Sequence, residues 1–134
     1  MFPLEKMQHR KNRLLEISTG AKSKGVFLRQ MLTNLVRTGK VTTTVKRAQV
    51  LKSYADSFFS KLVSNVARYD EVNARRENIR YIKSEIFWDA EGKRVLDVLL
   101  PQMLESGKTS GFVIDYKLGY RQWDGAESIL VKIA

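Results

Sequence analysis

The chain of 134 residues contains no cysteine, one histidine and two prolines. Without cysteine it can form neither a disulfide nor a thiolate metal site, and the single His9 is too few for the usual zinc and haem ligand sets. No apolar run approaches the ~20 residues that a membrane-spanning helix needs, and residues 1–6 lack the apolar stretch of a signal peptide. The sequence therefore predicts a soluble, non-secreted protein and indicates no cofactor.

Catalytic patterns are missing as well. The chain has no Ser/His/Asp set, no Gly-rich phosphate loop and no metal-ligand spacing. The adjacent carboxylates Asp70 and Glu71 fall where the helical pattern breaks, and a solvated turn explains them better than acid–base chemistry. We therefore expect no enzymatic activity. An RNA-processing enzyme, the weakest hypothesis, would require that a carboxylate such as Asp115 be essential for turnover.

Positive charge is concentrated at the front of the chain. Residues 1–52 hold 12 Lys/Arg and 2 Asp/Glu, a net charge of +10, whereas residues 53–134 hold 12 of each and sum to zero. Such a sorted charge gives the molecule a field with a direction, and it can hold a polyanion against one end. Nucleic acid is the expected partner.

Residues 1–24 are predicted to form an extended basic arm, ahead of a single α+β globular domain at residues 25–134. Within residues 7–24 the apolar residues are few and show no sustained period, while Lys and Arg recur. A disordered solubilising tail is the alternative. Leu14, Leu15 and Ile17 favour the arm, because they offer anchoring points that such tails lack.

The pattern behind the arm predicts four helices and three strands. Helical spacing of apolar residues and short alternating or β-branched runs place these elements at residues 24–38 (helix), 41–45 (strand), 45–69, 73–85 and 91–100 (helices), and 112–118 and 129–133 (strands). Asn73 is the expected cap of the third helix, and Pro101 is expected to end or kink the fourth. The Asp124-Gly125 turn predicts a C-terminal hairpin. The order helix, strand, three helices, two strands indicates an α+β fold with a small three-stranded mixed sheet packed on helices.

The start of the long helix carries the best binding signal. Lys46 and Arg47 fall in its first turn, where cations oppose the helix dipole. A phosphate held between them, on the free N–H groups of the helix end, would account for this placement. The preceding threonines 42–44 offer hydroxyl donors. The alternative is an ordinary strand-to-helix turn with a threonine cap and incidental surface charge.

Two further sets of residues are less informative. Arg76, Arg80 and Lys83 share one helix face, but acidic neighbours make a solvated mixed-charge face an equal explanation. The aromatic residues of the hairpin, which include Tyr116 and Tyr120, offer stacking surfaces for bases. No motif of an RNA-recognition sheet accompanies them, so packing in the core or turn is the preferred interpretation.

Several segments, taken in order, also carry a family resemblance. Residues 7–11 resemble an opening Met-Arg-His-Arg-Lys pattern, residues 27–36 a first helix, and residues 41–48 an Ile-x-Thr-Thr-x-x-Lys-Ala segment. Residues 73–76 resemble a His-Ala-Arg-Arg stretch, and residues 111–124 a Gly-Gly-Tyr to Lys-x-Gly-x-Arg-x-Gly-Asp hairpin. No single piece is specific, but the ordered set resembles the bacterial-type large ribosomal subunit protein L-seventeen family.

That resemblance implies a structural protein bound to large-subunit rRNA near the exit of the nascent-peptide tunnel. Neighbouring large-subunit ribosomal proteins would be further partners, with no membrane or small-molecule substrate. The implied location is the cytoplasm, on the ribosome, or else an organellar ribosome. Transferred residue by residue, it implies rRNA contacts at His9, Arg10, Lys11, Arg29, Thr43, Thr44 and Arg47, and further at Arg75, Arg76 and Arg121. Charge alone adds Arg13, Lys22, Lys24 and Lys46.

A DNA-binding regulatory or architectural protein is the alternative hypothesis from a different class. Such a protein wants a recognition helix with base-reading polar side chains and a symmetric partner. The long helix here is apolar on its broad face and supplies neither feature cleanly. Selective binding to duplex DNA over structured RNA would favour this alternative.

Overall fold

A computed structural model of the chain describes residues 24–134. Its helices and strands are α1 (Lys24–Thr38), β1 (Lys40–Thr44), α2 (Val45–Arg68), α3 (Glu71–Glu85), α4 (Asp89–Ser106, in three segments described below), β2 (Val113–Tyr120) and β3 (Glu127–Ile133). The predicted α+β class and element order are confirmed. The predicted arm lies almost entirely outside the described residues, so the division at residue 24 stays a prediction.

Local chemistry accounts for the ends of the helices. Helix α1 ends where Gly39 adopts a left-handed conformation (φ 82°) and its N–H donates to the carbonyl of Leu35 at 2.7 Å. Helix α3 starts two residues earlier than expected. Its cap is Asp70, whose carboxylate accepts from the N–H of Asn73 at 3.2 Å, so the prediction of Asn73 as the cap is wrong. An aspartate three residues before an N–H has the required reach.

Helix α4 continues past Pro101, which was expected to end or kink it, and its hydrogen bonding is irregular just before that residue. It consists of an α-helical segment Asp89–Arg94, a π-helical segment Val95–Leu99 and an α-helical segment Leu100–Ser106. The N–H of Leu100 donates to the carbonyl of Val95, five residues back. This wider turn places Pro101 in the first turn of the last segment, where the missing N–H costs little. The helix therefore continues to Ser106, where Gly107 ends it in a left-handed conformation (φ 71°).

The three strands form one sheet in the order β1-β3-β2. Both neighbouring pairs are antiparallel, so the predicted mixed sheet is wrong. Strands β1 and β2 do run in the same direction, but β3 lies between them because the hairpin folds it back beside β2 and against β1. No parallel pair forms as a result. The predicted hairpin is confirmed, and the N–H of Arg121 closes its turn on the carbonyl of Ala126 at 2.8 Å.

Helix α2 is the centre of the core. Its apolar stripe, as predicted, is buried, with Phe58 and Phe59 1% exposed or less. The ring of Phe58 stacks on that of Tyr81 from α3, with 5.2 Å between ring centroids. Two buried asparagines join the same helices, since the amide of Asn65 donates to the side-chain oxygen of Asn78 at 3.0 Å.

The sheet has two unlike faces, because opposed residues of antiparallel strands share a face and successive residues alternate. The inner face packs on α2, as the burial of Ile129 and Val131 shows. It comprises Val41, Thr43, Val113, Asp115, Lys117, Ile129, Val131 and Ile133. The outer face comprises Lys40, Thr42, Thr44, Ile114, Tyr116, Ser128, Leu130 and Lys132. No helix within residues 24–134 covers this outer face.

Candidate nucleic-acid interface

Helix α2 begins without the usual side-chain cap. Thr44 stands at the cap position in an extended conformation (φ −82°, ψ 168°), but its side chain makes no capping hydrogen bond, and the first turn holds no acidic residue. Lys46 in that turn is exposed. Basic charge and uncapped N–H groups therefore meet at one place, as the sequence predicted for an anion-binding helix start.

Arg47 is only partly available for binding. Its guanidinium lies over the ring of Phe27 from α1, 5.1 Å from the ring centroid, and the side chain is half-buried. Phe27 in turn packs on a small cluster formed by Leu28 and Val50. Arg47 thus fastens α1 to the start of α2 through a cation–π contact, while Lys46 projects into solvent.

Arg29 has a structural role within the described residues. Its guanidinium donates to the carbonyl of Ser84 at 3.2 Å and lies 5.0 Å from the ring centroid of Phe87. Burial raises the pKa of neighbouring Glu85, and the positive charge of Arg29 opposes that rise. Arg29 therefore ties α1 to the end of α3, a function that the sequence did not indicate.

The adjacent threonines of β1 point to opposite sides of the sheet. Thr43 is opposite buried Ile129, so it lies on the inner face, half-buried. Thr44 lies on the outer face beside Ser128, as does Thr42 beside Leu130. Of the two threonines selected from the sequence, only Thr44 lies on the outer face, and it is half-buried like Thr43.

The hairpin tip lies at the same end of the sheet as the start of α2, since Gly119 and Thr44 are both opposite Ser128. Arg121 at this tip forms a salt bridge with Asp124 and lies 4.4 Å from the ring centroid of Trp123. The positive charge of Arg121 is therefore largely neutralised by Asp124 within the turn. Of the expected packing in the core or turn, the core part is wrong for the hairpin tyrosines, because Tyr116 and Tyr120 are 50% and 76% exposed.

Arg75 and Arg76 belong to a different part of the surface. Both are exposed on α3, one turn from Asn78, which contacts Asn65 near the far end of α2. At 1.5 Å per helical residue, the distance from Lys46 to Asn65 along α2 is about 28 Å. These arginines therefore form no common site with the start of α2.

The predicted contacts at His9, Arg10, Lys11, Arg13 and Lys22 lie outside the described residues, and Lys24 is known only as the first residue of α1. Sequence analysis missed two other cations, Lys40 and Lys132, which lie directly opposite each other on the outer face. Their signal was present, because each alternates with an apolar residue of the inner face.

No helix within residues 24–134 is long and apolar enough to cross a membrane. No group of three or more His, Asp or Glu side chains in that part of the chain is placed to hold a metal ion.

A helix start with free N–H groups and a nearby cation is a place where an anion can bind. Comparison with known proteins identifies the family to which the chain belongs. The family model described as "Ribosomal protein L17" matches residues 27–134. The chain therefore belongs to the ribosomal protein L17 family, whose members are structural, non-enzymatic components of the large ribosomal subunit.

Individual relatives agree with this assignment. A protein named "Large ribosomal subunit protein bL17" from Clostridium tetani is 29% identical over 107 residues, covering 80% of this chain and 85% of the relative. Its namesake from Desulforamulus reducens is 34% identical over 107 residues, covering 80% and 86%. The one from Rubrobacter xylanophilus is 29% identical over 129 residues, 95% of each chain. The predicted family and the expected absence of enzymatic activity are thereby confirmed.

Proposed function

We propose that this protein binds large-subunit rRNA at the end of its sheet where α2 begins, assisted by the basic residues of its N-terminal segment. The observation that carries the proposal is the first turn of α2, with exposed Lys46, an outward-facing Thr44, no side-chain cap and no acidic residue. A phosphate seated there would accept hydrogen bonds from the helix N–H groups and offset the repulsion between Lys46 and the helix dipole.

Residues 1–23 add to the same positive field. They hold five Lys or Arg and two Glu, and each phosphate they neutralise would release counterions and strengthen binding. The position near the exit of the nascent-peptide tunnel, and the neighbouring ribosomal proteins as partners, rest on the family resemblance. The net charge of the front of the chain supports an orientation with this end toward RNA.

A pair of matched variants tests the site. Lys46→Gln removes one cation at the start of α2, and Lys83→Gln removes one exposed cation from α3. Binding of the full chain to transcribed large-subunit rRNA, measured at several salt concentrations, should show a log–log slope smaller by roughly 0.7–0.9 for Lys46→Gln. Lys83→Gln should leave the slope unchanged. Equal loss in both variants would indicate general electrostatics and contradict the site.

Association with the ribosome is tested separately. The tagged protein should sediment with the large subunit on a gradient of cell lysate, and ribonuclease treatment should release it. Sedimentation as free protein, or binding that survives complete digestion of the RNA, would contradict the proposal that RNA holds it there.

A further inference from the structure

On the outer face of the sheet, two lysines place their positive charges opposite each other. Lys40 and Lys132 are directly opposite each other on β1 and β3, both are exposed, and no salt bridge within residues 24–134 includes either. Like charges placed opposite each other destabilise a sheet. A pair of this kind is consistent with a surface that meets an anion.

Acidic residues of the sheet are all found away from this face. Asp115 is on the inner face and pairs with Lys52 of α2 at 3.1 Å. Glu127 pairs with inner-face Lys117 at 3.9 Å. The sheet's own carboxylates thus neutralise cations on the side of the helix, and none of them lies on the face of the two lysines.

The rest of the outer face suits RNA in particular. Beside the lysines lie the hydroxyls of Thr42, Thr44 and Ser128, and the half-exposed ring of Tyr116 borders Leu130. Hydroxyls bond phosphate and ribose oxygens, and an exposed tyrosine offers a base a stacking surface. The face also ends at Thr44, so it continues directly into the start of α2.

We propose that the outer face, with Lys40, Lys132, Thr42 and Tyr116, is a second rRNA-contacting surface, in which the two lysines hold backbone phosphate and Tyr116 packs on a base or ribose. This inference rests on the proposed function, which it extends from the helix start to the open sheet. Charge argues against residues 1–23 as the occupant, because their net charge is positive. The outer-face lysines would attract the negative phosphates of RNA, whereas they would repel a segment of positive net charge.

A matched pair of double variants provides the test. Lys40→Gln/Lys132→Gln removes the two outer-face cations, whereas Lys52→Gln/Lys117→Gln removes two cations that already have acidic partners. With transcribed large-subunit rRNA and the full chain, the outer-face variant should lower the log–log salt slope by roughly 1.4–1.8, two phosphates' worth. The inner-face variant should change it far less. Equal slopes in the two variants would overturn the proposal.

The aromatic contact has its own control. Tyr116→Ala should weaken rRNA binding by about 5- to 150-fold, the range expected for one lost stacking contact. Tyr69→Ala removes another exposed tyrosine, 41% accessible at the far end of α2, and should leave affinity unchanged. Circular dichroism and thermal melting would confirm that the variants are folded. An unchanged affinity for folded Tyr116→Ala would reject the stacking contact.

The proposal and the proposed function fail in different ways. If Lys46→Gln weakens binding while Lys40→Gln/Lys132→Gln does not, the helix start binds RNA and the outer face does not. If neither affects rRNA binding, the proposed function itself fails. A photo-crosslinking residue placed at Thr42, in chains assembled into large subunits, identifies the occupant. A ribonuclease-sensitive adduct supports RNA, and an adduct to another protein overturns the outer-face proposal.

Discussion

The two faces of the three-stranded sheet differ in whether their charged side chains have partners of opposite charge. On the inner face, Asp115 and Lys117 have partners of opposite charge, and the remaining positions are apolar or threonine against α2. On the outer face, Lys40 and Lys132 stand opposite each other, and neither forms a salt bridge in the part of the chain that the structure describes. Within residues 24–134 the charges of the inner face are paired, whereas the two lysines of the outer face form no salt bridge.

This difference separates residues that hold the fold from residues available for binding. The same distinction applies to the basic side chains selected from the sequence. Arg29, Arg47 and Arg121 each lie against an aromatic ring, while Lys46 is exposed and no hydrogen bond or salt bridge within residues 24–134 engages it. Arginine stacks and donates in several directions at once, so it is readily used to fasten elements together.

The largest expected contrast between the faces is in packing. Ile129→Ala on the inner face removes a side chain that is 5% exposed, and we expect the free energy of unfolding to fall by about 2–5 kcal/mol. Leu130→Ala, on the next residue of the same strand, should cost about 1 kcal/mol or less, since Leu130 packs on no helix. Chemical denaturation of the two variants measures both values. Similar losses would show that the outer face is packed as a core in solution.

A smaller effect is expected where α2 holds the edge of the sheet. The carboxylate of Asp56 accepts from the N–H of Phe112 at 2.8 Å, just before β2. Asp56→Ala leaves this N–H without its acceptor and should lower stability by about 1–3 kcal/mol. Thermal and urea unfolding measure the loss, and Ser57→Ala, at an exposed neighbouring position, is the control. A loss no larger than that of the control would contradict the anchoring role.

The inner-face ion pair should contribute less again. Lys52 and Asp115 are both about half-exposed, so their interaction should be worth about 0.2–1 kcal/mol and should weaken in high salt. A double-mutant cycle with Lys52→Ala and Asp115→Ala isolates this coupling from the separate effects of each change. A coupling of zero at low salt would remove the ion pair from the account of the inner face.

The smallest effect has the opposite sign. Lys132→Gln relieves repulsion on the outer face and should raise the stability of the free protein by about 0.2–0.5 kcal/mol at low salt. Lys40→Gln should act similarly, and the double variant should gain little more than either single one. The gain should vanish as salt rises. Destabilisation by either change would show that these lysines have partners in the folded protein.

Much of this fold was readable from the chain because the signals were local. The bounds of α1 agreed with the prediction, as did the start of α2. A glycine that ends a helix and the spacing of apolar residues are both recognised within a few residues of the sequence. The course of α4 was not readable past Pro101, because a π-helical turn is set by packing and not by residue preference. The cap of α3 was misassigned because Asp70 and Asn73 are both competent capping residues.

The candidate site, too, could be predicted from the sequence only in part. Residue types and spacing selected Lys46, which is exposed at the start of α2, and Thr44, which is half-buried on the outer face of the sheet. Residue types also selected Thr43, which lies on the inner face, and the family resemblance added Arg75 and Arg76, which lie on α3 near the far end of α2. Spacing along a strand or helix predicts which side chains share a face of that element. It does not predict which elements pack against each other.

What the sequence by itself determined is the charge of the front of the chain, the order of helices and strands, and membership of the L17 family, because composition, periodicity and ordered motifs are properties of neighbouring residues. Only the tertiary structure decided that β3 lies between β1 and β2, and that no helix of residues 24–134 covers one face of the sheet. Strand order depends on long-range burial of apolar faces. The opposition of Lys40 and Lys132 follows from it, since the sheet makes neighbours of two side chains that are 92 positions apart in the sequence.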